Sequence, residues 1–291
     1  MFTGTLVALI TPFQNGKIDF RTLEELIEFH LESDTDGVVP CGTTGESPTL
    51  SHDEQKRVIE RVIKTVGGKI PVVAGTGSNS TAEAIELTAF AKKVGADASL
   101  QVCPYYNKPT QAGFYQHFKA IAEEVDLPMV LYNIPGRCGG TGLMPETIAK
   151  LAELENVVGI KEATGKLDMV SEIANQCDLT ILSGDDSLTL PIASVGGKGV
   201  ISVVANIVPG DVKAMTDLIL QGDLVSARKW HNKLFALSKN LLSMATNPIP
   251  IKAAMAMLGM ASDEMRLPMT PLDENQREEL GQLLTNYGLL K

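Results

Sequence analysis

Short apolar runs at 6–10, 37–40, 71–74, 98–102, 129–131, 157–160, 179–182 and 199–204 constrain this chain's fold more than any other feature. Each is too short and too rich in Val, Ile and Leu for an amphipathic helix, and each ends in Gly, Pro or small polar residues. The intervals carry helical patterns. Ser51 with Glu54 reads as a capping box, and Val58, Ile59, Val62, Ile63 and Val66 then follow at helical spacing before Gly67-Gly68. Ser80 with Glu83 repeats the cap, Phe114, Phe118, Ile121 and Val125 form another apolar face, and Pro145 suits a first helical position. Parallel strands with crossover helices are implied, and eight such units fit a (β/α)8 TIM barrel better than a doubly wound sheet.

After Asn206 the strand signal stops, and helical patterns continue over 212–221, 224–244, 251–258 and 275–289. That tail is longer than a barrel requires. We therefore expect a catalytic barrel over 1–223 and a small C-terminal helical domain over 224–291, with no low-complexity linker between them.

In a barrel of this kind the C-terminal strand ends form the active face. The polar signatures sit there: Gly42-Thr43-Thr44-Gly45-Glu46-Ser47, Gly75-Thr76-Gly77, Pro104-Tyr105-Tyr106-Asn107, Tyr132-Asn133-Ile134-Pro135, Lys161-Glu162-Ala163-Thr164 and Ser183-Gly184-Asp185-Asp186. Lys161 closes an apolar run. Burial disfavours its ammonium form, and bringing a lysine pKa from about 10.4 to near 7 costs about 4 to 5 kcal/mol. A neutral amine able to attack a carbonyl is the usual return on that cost. A lysine whose head escapes to solvent is the plain alternative.

Tyr132 ends the fifth run as Lys161 ends the sixth, so adjacent strands can present a phenol and an amine to one mouth. Thr43 and Thr44 lie in a glycine-flanked turn that can hold a carboxylate or extend a proton relay, or Thr43 and Glu46 simply cap a helix. Gly75-Thr76-Gly77 has a glycine flavour without the fuller pattern of a phosphate cradle. Asp185 and Asp186 read as a cap for a short helix rather than cation ligands. If the backbone is extended, only one of Tyr105 and Tyr106 faces the mouth.

A formal net charge of -10 argues against nucleic acid or an anionic membrane as partner. Cys41, Cys103, Cys138 and Cys177 are far apart, as are His30, His52, His117 and His231, so neither a disulfide framework nor a metal site is suggested. Met1-Phe2-Thr3-Gly4-Thr5 lacks the basic and apolar regions of a leader, and no apolar stretch approaches membrane-spanning length. Reduced thiols and a cytoplasmic location are expected.

The motifs at 42–47, 104–107, 132–137, 159–164 and 183–186, together with Asn247-Pro248-Ile249-Pro250-Ile251-Lys252 and Arg266-Leu267-Pro268, resemble those of the dihydrodipicolinate synthase family, within the N-acetylneuraminate lyase superfamily of class I aldolases. The resemblance runs from Phe2 to near the C-terminus. One stretch departs from it: Cys138-Gly139-Gly140-Thr141-Gly142 is richer in glycine than the family's usual loop.

The resemblance implies condensation of pyruvate with L-aspartate 4-semialdehyde to 4-hydroxy-tetrahydrodipicolinate, in diaminopimelate and lysine biosynthesis, without a cofactor or metal. It implies a Schiff base on Lys161, proton transfer by Tyr132, and a relay through Thr43 and Tyr106, the last supplied by a neighbouring subunit of a homotetramer. Thr44, Gly184 and the backbone at Ile201 are then expected around pyruvate, and Arg137 at the semialdehyde carboxylate. Regulated members bind L-lysine at positions matching Ser47, Pro48, His52, Gln55, Asn79, Glu83 and Tyr105. Many sensitive members have histidine at the position of Gln55, so weakened lysine binding is expected here. The alternatives are another Schiff-base lyase, acting on N-acetylneuraminate or keto-deoxy sugar acids, and a catalytically silent keto-acid sensor.

Overall fold

The computed structural model describes residues 2–140 and 142–291. Among these, eight parallel strands alternate with helices as β1 (Gly4–Ala8), α1 (Phe20–Glu32), β2 (Gly37–Val39), α2 (His52–Val66), β3 (Val73–Gly75), α3 (Thr81–Val94), β4 (Ala98–Val102) and α4 (Gln111–Glu124). The series continues as β5 (Met129–Asn133), α5 (Pro145–Leu151), β6 (Val157–Glu162), α6 (Leu167–Gln176), β7 (Thr180–Ser183), α7 (Thr189–Ser194), β8 (Gly199–Ser202) and α8 (Pro209–Leu220). The hydrogen-bonded order is β2-β1-β8-β7-β6-β5-β4-β3. A parallel bridge between Val38 and Val72 joins the two ends, reinforced by Val38 N donating to Pro71 O (3.0 Å) and Gly75 N to Pro40 O (2.9 Å). The result is the expected (β/α)8 barrel.

Side chains alternate across each strand. Leu6, Ala8, Val39, Val73, Leu100, Val130, Leu182 and Ile201 fill the barrel interior as one buried cluster, which also takes in Tyr132. The opposite faces meet the helix layer. The Ser51–Glu54 capping box is present, with Glu54 N donating to Ser51 Oγ (3.2 Å) and Ser51 N to Glu54 Oε2 (3.0 Å). Ser80 also caps its helix, but no reciprocal box forms there. Glu83 turns its carboxylate to Ser78 Oγ instead (2.7 Å).

Strands β5 and β6 outlast their apolar runs by two residues each, because polar residues at their ends are satisfied on the outer face. Asn133 Nδ2 donates to Glu162 Oε2 (3.3 Å) and Leu143 N donates to Asn133 Oδ1 (3.0 Å), so β5 and β6 continue through Asn133 and Glu162. An antiparallel hairpin, Phe13–Gln14 with Lys17–Ile18, was not anticipated. Its Asn15-Gly16 turn has both residues at positive φ (52° and 76°), the conformation that Asn-Gly favours in two-residue hairpins.

Beyond the barrel lie α9 (Leu224–Met244), α10 (Ile249–Met257) and α11 (Glu274–Tyr287). Leu234, Leu237, Leu241, Ile251, Leu280 and Leu284 from these helices join the same apolar cluster as Leu23, Val58, Val212 and Met215 of the barrel. Among the described residues no helix is long and apolar enough to cross a membrane.

Candidate active site

Tyr132 on β5 and Lys161 on β6 are direct register partners, so both side chains leave the sheet on the same face. That face is the barrel interior. Lys161 Nζ lies 4.3 Å from the centroid of the Tyr132 ring, and each residue is 5% exposed. Burial lowers the Lys161 pKa to about 8, against the opposing pull of the Asp186 carboxylate and with help from the Arg137 guanidinium. Burial likewise pushes the Tyr132 phenol up to about 12, opposed by Arg137 and by a hydrogen bond with the Thr43 hydroxyl. At neutral pH the phenol therefore holds its proton, and the amine is within reach of losing its own.

Gly184 crosses directly over the lysine. A Cβ there would stand 3.1 Å from Lys161 Cε and 2.7 Å from Ala163 Cβ, so a side chain at this position would press on the amine's stem. Ile201, in the β8 strand, is 1% exposed inside the same cluster. Asp185 caps the short turn Asp186–Leu188, accepting from Ser187 N (3.2 Å), as expected. Asp186 does not cap. It is buried and accepts from Ser202 Oγ, Val203 N (2.9 Å) and Val204 N (3.3 Å) at the exit of β8, where it supplies negative charge toward Lys161. Desolvation raises its own pKa.

Thr44 is buried, and its Oγ1 accepts from Asn247 Nδ2 (3.0 Å). Arg137 is exposed and donates from Nη2 to the backbone oxygen of the same Asn247 (3.1 Å). Asn247 thus ties together the two residues expected to hold substrate carboxylates, a role the sequence reading did not assign. The signal was present as an Asn-Pro-Ile-Pro-Ile-Lys motif standing in an otherwise helical tail. Gly75-Thr76-Gly77 is a structural turn: Thr76 Oγ1 lies 2.9 Å from Thr88 Oγ1 and accepts from Gln101 Nε2 (2.7 Å).

Glu46 makes no helix cap with Thr43. Its backbone is left-handed (φ 55°), and its buried carboxylate pairs with Lys252 Nζ at 2.5 Å. Lys252, fully buried, also donates to Thr11 O (2.9 Å) and Glu264 O (2.7 Å). The pair pins the Thr43–Thr44 turn to the C-terminal helices. Lys252→Met should cost about 3 to 5 kcal/mol, because it leaves a buried carboxylate unpaired, while adding Glu46→Gln should recover much of the loss. Urea unfolding of the two variants measures this, and a single variant as stable as the parent would refute it.

Beside Thr43 opens a cavity of about 340 Å³ whose lining includes Ser47, Pro48, His52, Gln55, Glu83, Tyr105, Arg137 and Cys138. It does not reach Lys161. Gln55 Nε2 is already spent on Gly75 O (2.8 Å), and His52 Nε2 lies 3.8 Å from Glu83 Oε2. Asn79 is not part of the lining, but its side chain donates to Tyr105 O (3.2 Å) and so holds that residue's backbone. Tyr106 is 90% exposed, with its backbone at φ 70°. Of the glycine-rich departure, Thr141 lies outside the described residues. Among the described residues no cluster of His, Cys, Asp and Glu could hold a metal ion.

A family profile described as the dihydrodipicolinate synthetase family matches residues 1–287. The 4-hydroxy-tetrahydrodipicolinate synthase of Geotalea uraniireducens (strain Rf4) is 52% identical over 292 aligned residues, covering 100% of both chains. The crystal structure of dihydrodipicolinate synthase from Aquifex aeolicus superposes with a TM-score of 0.97 at 50% identity, covering 99% of each chain. A lysine-bound structure of the enzyme from Cyanidioschyzon merolae, 41% identical, superposes with a TM-score of 0.95 over 99% of each chain.

Proposed function

The chain belongs to the dihydrodipicolinate synthetase family, and on that premise we propose that Lys161 condenses pyruvate with L-aspartate 4-semialdehyde to 4-hydroxy-tetrahydrodipicolinate. The neutral amine adds to the keto carbon and water leaves, giving an imine whose protonated form draws electrons from the adjacent methyl group. Loss of a methyl proton gives an enamine. Its carbon attacks the aldehyde, the new alkoxide takes a proton, and the substrate's own amine displaces Lys161 as the ring closes. Tyr132, protonated at rest and bonded to Thr43, donates and accepts these protons. Thr44, Gly184 and the backbone at Ile201 surround pyruvate, and Arg137 offers a planar donor pair to the second carboxylate.

The observation that carries this assignment is the in-register pairing of a desolvated lysine with a tyrosine in an apolar interior. The enzyme works in the cytoplasm as a homotetramer, a dimer of dimers, with 1–223 as catalytic barrel and 224–291 as helical domain. Incubation of the purified chain with pyruvate and L-aspartate 4-semialdehyde, beside N-acetylneuraminate and a keto-deoxy sugar acid, tests the function. We expect turnover with the first pair alone. Cleavage of a sugar acid without condensation would move the enzyme to the alternative Schiff-base lyases, and pyruvate binding without turnover of any substrate would make it a sensor.

The cavity beside Thr43 is the proposed L-lysine site, supported by its match to Ser47, His52, Gln55, Glu83 and Tyr105 and by the lysine-bound relative. Glu83 can take the ammonium. Gln55 supplies no cation and already spends its amide on Gly75. L-Lysine should therefore inhibit weakly, and Gln55→His should tighten inhibition about tenfold, the worth of one charge-assisted hydrogen bond. Initial rates against L-lysine decide both points: no inhibition at any concentration rejects the site, and equal potency in the two proteins rejects the role of Gln55.

A further inference from the structure

Two of the cysteines meet at the barrel mouth. Cys103 follows β4, and Cys138 ends the short helical turn Pro135–Cys138 that begins just after β5. Cys138 Sγ donates to Cys103 O at 3.0 Å and Cys103 Sγ donates weakly to Asn133 Oδ1 at 3.9 Å, so the two cysteines stand side by side. Both are buried in one apolar cluster. The condensation uses neither, so the pairing has no part in the proposed mechanism.

Their surroundings are unequal. Cys138, 2% exposed, lines the 340 Å³ cavity and stands next in sequence to Arg137, whereas Cys103, 0% exposed, does not line it. Cys138, beside the Arg137 guanidinium, thus faces the opening, and Cys103 waits behind it, as in redox pairs with an attacking and a resolving cysteine. Cys41, by contrast, is buried with its thiol directed at Gln55 O, and Cys177 bonds back to Ile173 O in its own helix.

We infer that Cys103 and Cys138 form a dithiol site that small peroxides oxidise, and that the resulting disulfide closes the mouth by displacing Arg137. The Cys138 thiolate attacks one peroxide oxygen and the O–O bond breaks. This gives a sulfenic acid, and the departing hydroxide takes up the proton Cys138 has released. The Cys103 sulfur then attacks the Cys138 sulfur, the S–S bond forms, the S–O bond breaks, and a second water leaves with the Cys103 proton. Two electrons pass from the sulfurs to the peroxide oxygens. To make this bond, Cys138 Sγ must leave the Cys103 carbonyl and swing to its sulfur. Gly136 and Gly139, which flank Arg137 and Cys138, leave the backbone there free to follow. Arg137 is carried with it, off the Asn247 oxygen that holds it.

Lys161, on a separate strand, keeps its place and its burial, the main cause of its lowered pKa, and loses only the smaller help of the Arg137 charge, so oxidation should spare the Schiff base and block the second substrate; that half of the inference rests on the role proposed for Arg137. The test treats the full-length protein with hydrogen peroxide and maps its peptides without reduction. We expect the Cys103 and Cys138 peptides joined, turnover with L-aspartate 4-semialdehyde reduced at least about tenfold (the 1.4 kcal/mol equivalent of one lost charge-assisted bond), borohydride trapping of pyruvate retained, and recovery with dithiothreitol. Cys138→Ser and Cys103→Ala should each stay active and resist peroxide, and Cys177→Ser should behave as the parent. An unjoined peptide pair, a joined pair with unchanged turnover, or peroxide loss persisting in both Cys138→Ser and Cys103→Ala overturns the inference. Because the peptide map needs no substrate, absence of condensing activity before oxidation would count against the proposed function alone.

Discussion

Lys161→Met is expected to abolish turnover and pyruvate trapping while making the protein more stable at pH 7 by about 3 kcal/mol. The sign follows from the direction of the shift. Burial lowers the folded-state pKa to about 8, below its ordinary 10.5, so near neutrality the unfolded chain holds the proton more tightly than the native one. The lysine therefore costs stability below pH 8, and that cost fades as pH rises toward the unfolded value. Methionine has similar volume and no charge to desolvate. Urea unfolding at pH 7 and pH 10 should give a gap between parent and variant that is large at the lower pH and small at the higher. A variant less stable than the parent at pH 7 would mean that the Asp186 charge more than offsets the desolvation, and that the amine is held as an ion pair rather than as a nucleophile.

The same titration sets the rate. Only the neutral amine attacks, so the rate of imine formation should rise with pH and level off above about 8. Lys161→Arg should fail to trap pyruvate at any pH, because a guanidinium supplies no neutral amine in this range. Borohydride labelling at a lysine other than Lys161 would sink the assignment outright.

The barrel was legible in the sequence because most strands are short apolar runs and the intervals carry helical patterns, so run length and periodicity separate them. Lys161 and Tyr132 were legible for the same reason, as polar residues closing runs that should otherwise be dry. What the sequence hid were long-range polar pairings. Glu46 looked like a helix-cap residue because its natural partner by spacing is Thr43, and nothing local reveals that Lys252 reaches it from the C-terminal helices. Asp186 looked like a cap beside Asp185, yet a one-residue step turns it inward to Ser202 and the β8 exit. Asn133 and Glu162 extended their strands by pairing with each other across the sheet, which a run-length rule cannot anticipate. Cys103 and Cys138 likewise lie far apart in the chain, and only closure of neighbouring strands brings them together.

Mixing inactive Tyr106→Phe chains with inactive Lys161→Met chains should restore up to about a quarter of the parent's activity, if the dimer is the unit of complementation. Random pairing makes half of the dimers mixed, and in each of those one of the two sites receives both an intact lysine and an intact tyrosine. Tyr106 is the candidate because its geometry is unexplained by its own chain. A tyrosine at φ 70° sits in a region that costs a bulky side chain about 1 to 3 kcal/mol, and this one spends that cost to stand 90% exposed. An aromatic held in solvent by a strained backbone fits a surface that a second copy covers, with the phenol carried into that copy's mouth toward Thr43 and Tyr132. Alone, Tyr106→Phe should lower kcat by about 10²-fold or more, the usual contribution of a positioned proton carrier, and leave pyruvate trapping at Lys161 intact. The mixed sample should be prepared by dissociation and reassembly, with exchange verified from two affinity tags. Full exchange without regained activity would place Tyr106 in its own chain's site or outside the relay, and regained activity without exchange would mean that the two variants were never inactive.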